Sequence, residues 1–267
     1  MPTSEIPIPQ PSLLGKVALV SGSSSGLGAA IAEEFSSRGA HVIIHYAFPS
    51  EQAAARSVQK KLRSHSRSIL VEADLSTFEG PKALAAAASA EFGKVDFLVN
   101  NAGVSGPDRL SEASDLDVLR VWDQVVNVNG RGTLLLTRAI LPILTSNGSR
   151  IVNIGSATSR DPDPDLTIYA GTKGMIEAFT RCWARHFPRK YGCTVNTVAP
   201  GPVATERMRS LPEEFLSVVR TRCENIPVAA RMGEPSEVAW IVVTLCEKQA
   251  GWLNGLYIPV SGGGLLT

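Results

Sequence analysis

Excess charge is nearly absent from this 267-residue chain, where 26 Lys and Arg face 25 Asp and Glu for a formal net charge of +1. So small a charge offers no field to draw in nucleic acid or an anionic membrane surface. Cysteine is scarce, with only Cys182, Cys193, Cys223 and Cys246; none forms a C-x-x-C pair, and the four histidines do not cluster. That leaves no basis for a disulfide framework or a metal centre, and the cysteines read as reduced packing residues of a cytoplasmic protein. No apolar run reaches the roughly 20 residues that a membrane span needs. Met1 to Ser12 holds four prolines and no hydrophobic stretch, so residues 1–13 are expected to be a flexible N-terminal extension and not a signal peptide.

What the chain has is a 44% hydrophobic content, enough for one α/β domain over residues 14–267. Short runs rich in β-branched residues recur at Lys16–Val20, His41–Tyr46, Ser68–Val71, Val95–Val99, Arg150–Ile154, Cys193–Val198 and Leu256–Val260. Helical patterns separate them: Leu27, Ile31 and Phe35 at helical spacing, then Glu51–Arg63, Pro81–Phe92, Asp115–Ile140, Ile168–Phe187 and Ser236–Glu247. No internal repeat is present. The alternation predicts a doubly wound parallel sheet with right-handed crossovers, and ligands then bind at the carboxyl ends of the strands.

Three segments at such ends carry chemistry. The first strand runs into Ser21-Gly22-Ser-Ser-Ser-Gly26-Leu27-Gly28; glycines let a backbone approach a diphosphate, and a helix N-terminus offers it free N–H groups. Asn100-Asn101-Ala102-Gly103 follows the fourth strand, with Asn129 further on. After the fifth strand comes Ser156, then Tyr169 and, four residues later, Lys173. Residues four apart share a helix face, so the ammonium is expected beside the phenol, lowering its pKa. Moving a phenol from about 10 to about 7 needs roughly 4 kcal/mol, which one charge at ~4 Å and an effective dielectric near 20 supplies.

From about Leu14 to Gly263 the chain resembles the short-chain dehydrogenases/reductases. The glycine spacing is similar to that family's T-G-x-x-x-G-x-G with Ser21 for the threonine, Asn100–Gly103 to its N-N-A-G, and Pro200-Gly201 with Thr205 to its P-G-x-x-x-T. Asn129, Ser156, Tyr169 and Lys173 fall on its Asn-Ser-Tyr-Lys positions. The resemblance implies a Rossmann-like fold and hydride transfer between a nicotinamide cofactor and a carbonyl carbon. Tyr169 is implied as proton donor, Ser156 as a hydrogen-bond donor to the carbonyl oxygen, Lys173 as a partner of the nicotinamide ribose, and Asn129 as the holder of a proton-relay water. It also implies cofactor contacts at Gly22, Ser24, Ser25, Gly26, Leu27, Gly28, Tyr46, Ser50, Asp74, Leu75, Asn101, Ala102, Gly103, Pro200, Gly201, Val203 and Thr205, a lid over residues 203–225, and a homotetramer. In the tetramer, the helices Asp115–Ile140 and Ile168–Phe187 and the segment Trp252–Thr267 would meet symmetry mates.

Two departures sharpen the reading. The second strand ends in Tyr46-Ala47-Phe48-Pro49-Ser50, with no acid before Glu51. Without a carboxylate to repel a 2′-phosphate, NADP(H) is expected over NAD(H). The loop Ser159-Arg-Asp161-Pro-Asp163-Pro-Asp165 is stiff and acidic: either a solvated turn, or a rim where Asp165, with Arg131 as a second polar contact, meets a cationic substrate. Met208, Leu211, Phe215 and Val219 are candidates for an apolar wall. The favoured substrate is a medium-sized, partly apolar ketone or secondary alcohol. One alternative keeps fold and cofactor but acts on a C=N bond or guides a cyclisation, as in alkaloid reductase/cyclases of this superfamily; another, of a different class, is a non-catalytic dinucleotide sensor.

Overall fold

A computed structural model describes residues 12–266. Residues 1–11 of the expected extension, and Thr267, lie outside the described residues. Ser12 and Leu13 belong to the fold: Leu13 is buried and donates its N–H to Arg38 O at 2.9 Å, while Ser12 Oγ donates to Glu247 at 2.6 Å.

Seven parallel strands form one sheet: β1 (Val17–Val20), β2 (His41–Tyr46), β3 (Ser68–Glu72), β4 (Phe97–Asn100), β5 (Ser149–Ile154), β6 (Cys193–Pro200) and β7 (Tyr257–Val260). Their spatial order is β3-β2-β1-β4-β5-β6-β7. The chain winds outward from β1 to β3 and restarts on the other side at β4, so β1 and β4 flank the point where the winding reverses. Pairing of Val20 with Val99, and of Asn100 with Asn153, aligns the strand ends, so Ser21, Asn101 and Gly155 emerge along one edge.

The helices are α1 (Gly26–Ser37), α2 (Gln52–Lys61), α3 (Gly80–Phe92), α4 (Asp115–Val126), α5 (Thr133–Ile140), α6 (Thr167–His186), α7 (Pro188–Tyr191), α8 (Glu206–Arg209), α9 (Glu213–Glu224) and α10 (Pro235–Thr244). Strand residues alternate between the two faces, and the core divides accordingly. Ala18 and Val20 join Ile31 and Phe35 of α1 and Val238 and Val242 of α10. Val17 and Leu19 join Leu84 of α3, Leu136 and Ile140 of α5 and Trp183 of α6. Both faces are covered, which is why the inner strands β1, β4, β5 and β6 are buried along their whole length and not alternately. Phe35 stacks on Phe97 at 5.7 Å, each ring contributing roughly 1.5–3 kcal/mol by burial.

The long helix expected over Asp115–Ile140 is two helices joined by a π-helical turn, Asn127–Gly132. Close packing accounts for the interruption: a Cβ on Gly132 would lie 2.8 Å from Leu75 O, and one on Gly130 2.9 Å from Met175 Sδ. The extra residue in the turn aims Asn129 inward, and it is fully buried. The strand expected from Val95 begins at Phe97, with Val95 forming a single bridge to Leu144. The segment expected to be a lid is α8 and α9, broken by Pro212. Among the described residues no helix is long and apolar enough to cross a membrane.

Candidate active site

The glycine-rich turn is held in shape by the residues around it. Gly22 and Gly26 have φ of +62° and +55°, and a Cβ on Gly28 would sit 2.2 Å from Gly22 O, so only glycine fits. Asn101 Nδ2 donates to Ser21 O at 2.8 Å and Gly22 O at 3.0 Å, and Ser21 Oγ accepts from the N–H groups of Asn101 and Ala102. Beneath the turn lies His45, which sequence reasoning passed over. Its Nδ1 accepts from Gly22 N at 2.8 Å, which leaves Nε2 to donate to Ala73 O at 2.7 Å. Burial lowers its pKa and keeps the ring neutral. The same side chain thereby ties the phosphate-side turn to the end of β3.

This turn fits a dinucleotide. Ser25 occupies the N-cap of the 12-residue α1 yet makes no side-chain capping bond, so the first-turn N–H groups keep no side-chain acceptor. Leu27 lies in that first turn, and Thr205 packs its methyl against the space beside Gly26. Thr205 Oγ1 accepts from Met208 N at 3.1 Å, and Gly201 N donates to Val260 O at 3.0 Å, fixing the segment after β6 through Pro200, Gly201 and Val203. Asp74 forms a tight turn by accepting from Ser76 N at 2.8 Å, and the neighbouring Leu75 side chain is buried in the core.

At the end of β2 the structure adds a carboxylate. Glu51 folds back over a single turn, Pro49–Glu51, and its Oε2 accepts from Ser24 Oγ at 3.1 Å and Ala47 N at 3.2 Å. Ser50 is exposed on this turn. Tyr46 differs from its expected place at the cofactor: its ring is buried in the core and its hydroxyl accepts from Gln52 Nε2 at 3.2 Å. Strand alternation turns it inward.

Ser156, Tyr169 and Lys173 meet in a cavity of about 250 Å³, lined also by Leu27, Asn101, Gly103, Gly155, Arg207 and Met208. Ser156 caps the turn Ala157–Ser159, its Oγ accepting from Thr158 N at 3.1 Å. Tyr169 lies in the first turn of α6, whose N-terminus is capped from outside: Asp108 Oδ2 accepts from Ile168 N at 2.7 Å. Asn129 Oδ1 accepts from Val104 N at 2.8 Å, while its Nδ2 donates to Val104 O at 2.9 Å and Thr172 Oγ1 at 3.1 Å. A Cβ on Gly103 would lie 3.3 Å from Asn129 Oδ1 and 3.5 Å from Lys173 Nζ, so both groups flank one point.

Lys173 departs from expectation. Its Nζ donates to Ile154 O at 2.8 Å and stands 5.6 Å from the Tyr169 ring centre. Burial pulls its pKa down to about 8. Burial also pushes the Tyr169 phenol above its ordinary value, against the smaller opposing pull of the Ser156 hydroxyl and the Arg207 cation. Lys173 is not among the groups that pull it down. As it stands, Tyr169 is a protonated acid at neutral pH.

The proposed acidic rim is elsewhere. Asp165 is exposed and outside the cavity; its N–H donates to Asp163 Oδ1 at 3.1 Å and its carbonyl accepts from Asp108 N at 2.9 Å. Asp163 pairs with Arg222 at 3.2 Å. Arg131 points to Ser76 O, also away from the cavity. Met208 lines it, whereas Leu211, Phe215 and Val219 do not. No group of His, Cys, Asp or Glu among the described residues could hold a metal.

A seven-stranded doubly wound sheet with a glycine turn at its switch point and a Ser-Tyr-Lys cluster beside it defines a dinucleotide-dependent oxidoreductase fold. Residues 22–264 match the family model described as enoyl-(acyl carrier protein) reductase. The chain is 37% identical to the short-chain dehydrogenase/reductase FrzI of Cladobotryum sp, over 96% of this chain and 98% of that protein. The angucycline C-6 ketoreductase LanV, solved with bound NADP, superposes with a TM-score of 0.85 at 30% identity, covering 96% of this chain and 98% of that one. A blue fluorescent protein from a metagenomic library, in complex with NADPH, gives 0.85 at 28% identity, covering 96% and 100%. The chain belongs to the short-chain dehydrogenase/reductase family.

Proposed function

We propose that this protein is an NADP(H)-dependent oxidoreductase that reduces a ketone, or oxidises the matching secondary alcohol, on a medium-sized, partly apolar metabolite. One observation carries the reading: the open N-terminus of α1 and the Ser156, Tyr169 and Lys173 side chains face one cavity. When bound, the cofactor supplies or accepts the hydride. The turn Gly22–Gly28 and the first turn of α1 hold its diphosphate. Lys173, which has one protein partner, Ile154 O, among the described residues, keeps further ammonium protons for ribose hydroxyls. Ser156 hydrogen-bonds the carbonyl oxygen as negative charge develops, and Tyr169 gives that oxygen its proton. Asn129 keeps the backbone around Val104 in place and supports a water that returns protons toward Lys173.

NADP(H) over NAD(H) is supported by the solved relatives that hold NADP and NADPH and by the absence of an acid within β2. Glu51, engaged by two donors, is the residue that would oppose it. The imine or cyclisation reading has lost its residue, since Asp165 is not at the cavity. The sensor reading has no use for Ser156, Tyr169 and Lys173 gathered at one cavity. A screen of ketones and imines that follows NADPH absorbance tests the assignment, and turnover confined to imines would replace it.

A cytoplasmic location rests on the four cysteines, all unpaired. A homotetramer is supported by the exposed Leu116, Leu119 and Trp122 of α4 and the almost fully exposed Trp252. Light scattering giving a mass near 28.4 kDa at all concentrations would refute it.

A further inference from the structure

The lid carries four arginines, and three of them are paired: Arg209 with Glu234 at 3.8 Å, Arg220 with Glu213, and Arg222 with Asp163 at 3.2 Å. Arg207 is different. Among the described residues its guanidinium has no ion pair and no hydrogen bond, and it lines the cavity that holds Ser156 and Tyr169. The residues lining that cavity include two cations, Arg207 and Lys173, and no carboxylate.

Lys173 is occupied at the strand end by Ile154 O. The Arg207 guanidinium has no such partner among the described residues; Thr205 caps the short helix α8 that carries it, and the adjacent Met208 contributes an apolar part of the same wall. A planar guanidinium with free donors beside an apolar surface suits a planar anion attached to a hydrophobic body. We propose that Arg207 is a substrate-binding residue selecting carbonyl compounds that carry an anionic group, a carboxylate or an acidic phenol, held at the lid end of the cavity while the carbonyl faces Ser156 and Tyr169.

This inference rests on the carbonyl-reductase reading above and reverses the substrate charge suggested by the acidic loop. The field of Arg207 also reaches the Tyr169 hydroxyl, whose pKa it pulls down. The guanidinium and the proton donor therefore share one compartment.

The same guanidinium chemistry could serve the cofactor's diphosphate, and the test separates the two. Calorimetry on the NADP⁺ complex would compare 4-acetylbenzoate with its methyl ester, nearly the same shape without the charge, in wild type, Arg207→Gln and Arg207→Lys. The wild type is expected to prefer the acid by about tenfold, the low end for a charged hydrogen bond because the lid is exposed. That preference should vanish in Arg207→Gln and be reduced but not lost in Arg207→Lys, which keeps the charge without the planar fork. Failure of the acid to bind, equal binding of acid and ester, a preference that survives Arg207→Gln, or a loss matched by an equal loss of NADP⁺ affinity would each overturn the proposal. Because binding is read without turnover, failure of both compounds to be reduced counts against the reductase reading alone.

Discussion

Glu177 receives the Arg160 guanidinium through two donors, Nε at 3.1 Å and Nη2 at 3.0 Å, from the same helix that carries Tyr169. The positions 169, 173 and 177 are four apart and share one face of α6. Ser159 Oγ donates to the other carboxylate oxygen, Arg160 lies 3.7 Å over the Tyr257 ring, and Tyr257 donates to Ser156 O at 3.1 Å. The turn bearing Ser156 is thereby clamped to the helix bearing Tyr169. Their separation is set by Glu177.

Replacing Glu177 with Gln keeps the shape and removes the charge that Arg160 needs. Stability in denaturant should fall by about 1–2 kcal/mol, reduced from the full value of a charged hydrogen bond because Arg160 is partly exposed. Turnover should fall roughly ten- to hundredfold through misplacement of Ser156, with NADPH affinity unchanged. Lost stability with unaltered kcat would make the clamp structural only.

Lys173 links stability to pH. Its folded pKa of about 8 lies below the ordinary 10.5, so below pH 8 the fold bears the whole cost of burying a charge. Between pH 8 and 10.5 the folded protein gives up this proton while the unfolded chain retains it, and stability rises with pH. Lys173→Met should therefore be more stable than wild type at pH 7 by about 1–3 kcal/mol, with the gap closing as pH rises through that window. It should also be inactive. Urea melts of the two cofactor-free proteins at pH 7 and pH 9.5 measure this, and a constant gap would contradict it.

Cofactor choice turns on the end of β2. Fluorescence titration should show NADPH binding more tightly than NADH, and Ala47→Asp should narrow or reverse the difference by placing a second carboxylate beside Glu51. Tighter NADH binding by the wild type would transfer the role to Glu51.

Much of this architecture was legible in the sequence because parallel strands covered on both faces are continuous apolar runs. The glycine turn and the four-residue spacing of Tyr169 and Lys173 have short local signatures, whereas Asn129 and Ser156 stand out only through the resemblance to the family. The π turn at Asn127–Gly132 was not, since it arises where two glycines approach Leu75 and Met175, far away in sequence. His45, Glu51 and Glu177 were missed for a related reason: their roles exist only through partners 23, 27 and 18 residues away. Helical spacing places Lys173 on the same face of α6 as Tyr169 but does not disclose Ile154 O, which accepts from its ammonium.

In the proposed reaction the Tyr169 hydroxyl gives its proton to a carbonyl oxygen. Replacing Tyr169 with Phe removes only that hydroxyl. The decisive measurement is NADPH-dependent reduction of a ketone found in the screen, wild type against Tyr169→Phe, with NADPH affinity determined in parallel. Turnover is expected to be lower by about 10²–10⁴-fold at unchanged NADPH affinity; comparable turnover in the two proteins would mean that the proton comes from another group.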